Sequence, residues 1–194
     1  PDLPGYLLGL IGAGKNGLAE DELIGIIDQQ LRLKRHLPLP TPDPASPAYT
    51  TFPLVLWARL YAEIDWMCTE REIDSTRVLN FYHRQFREAI ERRYLNPPAK
   101  AASANTQWRR LFAKRDVITS TSSGQRLHAD LAEYFGRANG QVPYIENTAL
   151  RPRARVNERM VSESAYQYFQ SKQFHELETL LFDGEFLQAR IQIA

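Results

Sequence analysis

Apolar side chains recur at intervals of three and four along most of this chain, and that period confines it largely to packed helices. Leu7, Leu10 and Ile11 form a short stripe after Pro4, a residue suited to a first helical turn. Leu23, Ile26, Ile27 and Leu31 form a second stripe behind Glu20-Asp21-Glu22, whose charges favour a helix N-terminus. Trp57, Leu60, Tyr61 and Ile64 make a third, and Tyr82, Phe86, Ala89 and Ile90 a fourth. Farther on, Leu127, Leu131, Tyr134 and Phe135 stand at i, i+4, i+7 and i+8. Val156, Met160, Ser164 and Tyr168 mark another helix, Phe174, Leu177, Leu180 and Leu181 the next, and a last one ends at Ile193.

Three stretches break the period. Prolines 38, 40, 42, 44, 47 and 53 forbid a helix over 36–53 and predict an extended connector. The run MCTEREIDSTRVLNFYH reads as two short strands, Trp66 to Thr69 and Arg77 to Phe81, around a polar turn at Asp74-Ser75. NPPAKAASANTQ, 96–107, has the composition of a boundary. Beyond it Trp108, Leu111 and Phe112 predict a short helix, and Gly136 to Arg155 a partly looped section rich in arginine. Helices, a hairpin and a further helix in this order match a winged-helix domain over 1–95, with the proline-rich insertion inside it. The consecutive amphipathic helices of 108–194 predict a helical bundle or the start of a solenoid. The expected fold class is therefore mainly α.

With 43% hydrophobic and 24% charged residues in 194, the chain carries enough apolar surface to bury a core. No apolar run approaches the ~20 residues that span a bilayer, and no leader-like segment opens the sequence, so no membrane partner and a cytoplasmic location are expected. The lone Cys68 cannot form an internal disulfide and has no metal-ligand neighbours, so it is expected in the core with no zinc site. An opening proline in place of methionine suggests a piece of a longer polypeptide. Between Arg77 and Arg159 sixteen Lys and Arg residues stand against seven Asp and Glu, so the basic charge is concentrated in the middle while both flanks are acidic.

One short motif needs a decision. Gly9 to Asn16, GLIGAGKN, fits GxxxxGK[ST] in all but its last letter. A working phosphate loop needs a preceding strand, a Ser or Thr hydroxyl on magnesium and a parallel sheet behind it. Here position 16 is asparagine, and no alternation of strands and helices follows to build the sheet. A helix ending at Gly12-Ala13-Gly14, with a left-handed turn at Gly17, accounts for the same glycines.

Four segments, GLAEDELIGIIDQQ, FYHRQFREAIERRYL, LHADLAEYF and ERMVSESAYQYFQSKQFHELETLLFDGEFLQARI, resemble in this order the region that follows the nucleotide-binding core of NACHT-type STAND ATPases, the signal-transduction ATPases with WD40 or TPR-like tails. The resemblance covers most of the chain apart from the proline-rich connector and 136–155. It implies a regulatory and scaffolding segment with no catalytic residue of its own, docking on an upstream core that holds ADP or ATP with Mg. It also implies sensor repeats in the same polypeptide and a homo-oligomer in the activated full-length protein. The family's winged-helix histidine, which contacts the β-phosphate of ADP, matches His83 in FYHRQFRE, with Arg84 and Arg87 as weaker phosphate or core contacts. Where the family usually has a capping serine ahead of the acidic run, this chain has Ala19, a loss of about 1 kcal/mol.

The alternative is a winged-helix nucleic-acid-binding protein. Its would-be recognition helix, PLVLWARLYAEIDWM, carries Arg59 against Glu63 and Asp65, a poor surface for DNA, so nucleic acid is the less expected partner. Nor does an enzyme emerge. His36 lies in the proline-rich connector, His128 and His175 fall on predicted helices, and the Glu176/Glu178 pair points to different helical faces.

Overall fold

The computed structural model describes residues 3–32, 52–97, 123–136, 145–146 and 155–193. In chain order these form α1 (Leu3–Ala13), α2 (Glu20–Arg32), α3 (Leu54–Ile64), a 3-10 turn (Asp65–Met67), β1 (Cys68–Ile73) and β2 (Thr76–Phe81). Next come α4 (Arg84–Ile90), which runs on into a π-helical turn (Glu91–Leu95), α5 (Ser123–Phe135), and the two-residue strands β3 (Ile145–Glu146) and β4 (Arg155–Val156). Helices α6 (Glu158–Gln170), α7 (Phe174–Leu181) and α8 (Gly184–Gln192) follow. The architecture is mainly helical, with a small antiparallel sheet. Apart from Phe52 and Pro53 the expected proline-rich connector lies outside the described residues, as does the expected helix around Trp108.

Helix α1 is more than an amphipathic stripe. Leu3, Tyr6, Leu7, Leu8, Leu10, Ile11 and Ala13 are all buried, as are Gly5, Gly9 and Gly12, the pattern of a helix enclosed on every side. It packs against α3, β2, α4 with its π turn, and α5. Gly9 matters through what it lacks, since a Cβ there would stand 2.7 Å from Leu127 Cδ1 of α5. The buried apolar side chains form one cluster that runs from Leu3 to Ala189.

The phosphate-loop-like stretch is thus a helix and a turn. Gly9 to Ala13 belong to α1, Gly14 N–H donates to Leu10 O at 2.9 Å, and Gly17 has φ +94°. Leu18 then pairs with Leu79, its N–H donating to Leu79 O at 3.1 Å and its carbonyl accepting from Leu79 N–H at 2.8 Å. The α1–α2 turn thereby lies along the free edge of β2.

The hairpin turns at Asp74 and Ser75, with φ 50° and 55°, and sets the register Ile73↔Thr76 through Cys68↔Phe81. Two successive left-handed residues match the strand twist, and Asp is one of the few residue types that enters that region readily. The first strand is offset from the sequence expectation. Trp66 and Met67 form the 3-10 turn, and the strand proper is the polar run Cys68–Ile73. Once the two-residue turn fixes the register, charged residues can pair on a solvated face. Cys68, expected in the core, is half-buried on β1; burial first, and then the Asp65 charge, push its thiol up to about 11.

Two further expectations are corrected. Val156 lies in β4 rather than in the helix, because Asn157 caps α6 by accepting from Met160 N–H at 3.0 Å. Tyr82 and Ala89 do not share the buried face of α4: Tyr82 precedes the helix, and both are exposed.

Candidate functional site

His83 is the residue that passes the chain from β2 to α4. Its backbone is extended (φ −124°, ψ 139°), its carbonyl accepts from Phe86 N–H at 3.0 Å, and its side chain makes no capping bond to the helix it precedes. The imidazole is exposed. Two aromatic side chains of this region, one of them next to the imidazole, are exposed where a core position was expected. Tyr82, 68% exposed, has its ring 6.2 Å from the imidazole, and Trp66, 66% exposed, meets Phe86 edge-on at 5.4 Å. The two arginines beside it are engaged. Arg84 Nε pairs with Glu88 at 2.7 Å, and Arg87 donates to Asn80 Oδ1 at 3.0 Å with Glu91 3.9 Å away. Asn80 is itself a junction, donating to Asn16 O at 3.2 Å and accepting from Phe81 N–H at 2.8 Å.

A second constellation escaped the sequence reading. Along one face of α6, Arg159, Glu163 and Gln167 stand at i, i+4 and i+8, all buried. Arg159 Nε and Nη2 donate to the two oxygens of Glu22, each at 2.9 Å, and Nη2 also donates to Gly17 O at 3.0 Å. Its Nη1 lies 3.3 Å from Glu163 and 3.7 Å from Asp74, ion-pair distances without the alignment of a hydrogen bond. Glu163 accepts from Lys15 N–H at 3.2 Å and from Gln167 Nε2 at 2.8 Å. Gln167 Nε2 also donates to Ala13 O at 3.1 Å. With that nitrogen facing two oxygens, Gln167 Oε1 accepts from His128, whose Nδ1 at 2.8 Å must therefore carry the proton.

The missing cap at Ala19 is explained by the same network. Glu22, three residues on, accepts from Ala19 N–H at 2.8 Å, which is the carboxylate half of a capping box, while Arg159 holds its position. The signal available in the sequence was the spacing Arg, Glu, Gln on one helical face. It escaped notice because a charged stripe is usually solvated.

The charges respond to burial. Burial would lower the Arg159 guanidinium, but the hydrogen bonds to Glu22 and the charges of Glu22, Glu163 and Asp74 outweigh it and raise it. Burial raises Glu163 above the ordinary carboxylate value of 4.5, against the opposing pull of Arg159, Gln167 and Lys15 N–H. A carboxyl raised in this way holds its proton more tightly folded than unfolded, so its contribution to stability falls as pH rises above 4.5 through the folded value. Burial lowers His128 despite its bond to Gln167, which acts in the other direction and removes stability as pH falls below 6.5. Comparison of Glu163→Gln with the parent cancels the histidine. Urea unfolding from pH 4.5 to 7 is expected to show the difference moving steadily in favour of the variant as pH rises, and a pH-independent difference would show that Glu163 titrates alike in both states.

The other candidates are dispersed. His175, Glu176 and Glu178 are exposed on α7, and α3 presents Leu54, Val55, Arg59 and Glu63 to solvent. A shallow cleft of about 440 Å³ between the start of α2 and the hairpin is lined by Glu20, Asp21, Glu70 and Arg77 among others. Among the described residues no three His, Cys, Asp or Glu side chains gather at metal-binding distance, and no helix is long and apolar enough to cross a membrane.

Fold and sites together define a mainly helical protein in which a hairpin carries an exposed histidine outward while a buried charged edge holds the helices behind it. Over 99 residues, 51% of the chain, it is 29% identical to NACHT domain- and WD repeat-containing protein 1 of Mus musculus and 28% identical to that of Homo sapiens. The chain spans about 6% of the length of these relatives. The likeness to a NACHT-associated region is distant and partial. No family model matches the chain, and no solved structure matches it.

Proposed function

We propose that this chain is a regulatory and scaffolding segment of a STAND-type NTPase switch, one that docks on an upstream nucleotide-binding core and couples its ADP or ATP state to opening and oligomerisation. The observation that carries this reading is the similarity to proteins named for a NACHT domain. The hairpin, the Leu18–Leu79 pairing and the order of α1 to α3 support a winged helix as the docking unit. His83 supplies the chemistry, because an exposed imidazole with no capping bond to its own helix is free to donate to a phosphate held by another domain. Tyr82 beside it, and the exposed Trp66 on Phe86 of the same helix, offer aromatic area of the kind that protein interfaces use.

A charge-assisted bond to phosphate contributes about 1.5–3 kcal/mol, enough to shift a closed-to-open ratio roughly ten- to a hundredfold. His83→Ala in the full-length protein is therefore expected to speed ADP release by that factor and to raise oligomerisation without a signal. The thermal unfolding of the chain itself should not move, since the side chain is exposed. Unchanged ADP retention would remove His83 from the switch.

A further inference from the structure

We propose that α6 is a detachable clasp on the Ala13–Ala19 turn, which lifts away through its Arg159–Glu163–Gln167 edge without global unfolding of the helices behind it. The edge itself is built from groups that water can replace, while Met160 and Val161 of the same helix are buried in the apolar cluster and give the opening its cost in exposed apolar area. Ala13 O, Lys15 N–H and Gly17 O each end on this edge, and Glu22 meets it through two charged bonds. Elsewhere the core resists opening because separation would expose apolar area, as where Leu127 of α5 lies against Gly9 of α1. A buried ion pair behaves differently, because its mutual attraction is largely cancelled by the lost hydration, which returns when the partners separate. Arg159 Nη1 and Glu163 Oε1, 3.3 Å apart on α6 itself, form no aligned hydrogen bond in the closed contact, and opening admits water to both.

The turn held by the clasp is tied in turn to the hairpin. Leu18 pairs with Leu79, and Asn80 bonds both Asn16 O and Arg87 of α4, the helix that begins after His83. Lifting α6 therefore loosens the support of the His83 corner. That consequence rests on the proposed docking role, whereas the clasp itself does not.

Native-state hydrogen exchange on the whole chain, in rising sub-denaturing urea, tests it without nucleotide. Two of the protons that cross the contact serve as probes: Lys15 N–H, bound to Glu163, and Arg159 Nε–H, bound to Glu22. Both are expected to exchange through one shared opening, on the order of tenfold or more faster than the α2 interior amides of Ile26 and Ile27, with a urea slope that is smaller than theirs but not zero. Added NaCl should favour the opening, because separated charges are screened once hydrated. A slope merging with that of Ile26 and Ile27 would make the edge a static part of the core. A zero slope would mean that the turn fluctuates while α6 stays in place, and either result overturns the clasp.

Discussion

Arg159→Ala is expected to cost the folded chain about 3–5 kcal/mol, the penalty for removing one partner of a buried charge pair. A domain of this size commonly has only about 5–15 kcal/mol in total, so the variant should lie near the edge of folding. The reason is what remains behind. Glu22 and Glu163, 6% and 0% exposed, would be left buried with no cation between them, and Gly17 O would lose its donor. Lysine should not rescue the site, since a single ammonium cannot make the two-pronged bond to Glu22 and reach Gly17 O as well. Chemical denaturation measures the loss, and it should shrink at acidic pH as Glu163, already raised by burial, takes up a proton. A loss below 1 kcal/mol would mean that the network is hydrated rather than buried.

Gly17→Ala is the second large effect, expected to cost about 3 kcal/mol by combining a disfavoured backbone with overpacking. Position 17 has φ +94°, and a Cβ there would lie deep inside the van der Waals radius of the Leu79 carbonyl oxygen, which is rigid backbone. Relief would require the turn to move off β2, breaking the two Leu18–Leu79 bonds and taking Gly17 O from Arg159. Gly184→Ala is the control, because nothing lies within 4 Å of a Cβ at that position. Calorimetric unfolding of both variants should show a large drop for the first and little change for the second; equal, small effects would mean that the turn tolerates a different path.

Much of the helical framework was legible because its apolar side chains keep the helical period. Leu23, Ile26 and Ile27 of α2 and Leu127, Leu131 and Phe135 of α5 are buried as that period requires. The glycine-rich stretch was readable for the same reason, since a helix with a glycine turn explains its residues better than a phosphate loop lacking both strand and hydroxyl. Two kinds of feature were not legible. The polar strand Cys68–Ile73 has no strand-like alternation, and a turn fixes it from outside. The aromatic side chains of Tyr82 and Trp66 look like core residues in a linear reading, yet both face solvent.

The candidate sites divide in the same way. His83 could be placed at a strand-to-helix junction from FYHRQF alone, because local signals define that junction. The contact of Trp66 with Phe86, one turn into the helix that follows His83, instead depends on the hairpin that brings the two rings together.

By itself the sequence determined where most of the helices lie and that Gly17 must allow a left-handed backbone, because these are properties of neighbouring residues. Only the tertiary structure decided that Arg159, Glu163 and Gln167 are buried and which groups they meet. A charged stripe on a helix has the same local energetics whether it faces water or Glu22. The choice depends on whether a segment about 137 residues away in the chain presents carboxylates and backbone groups that repay its desolvation.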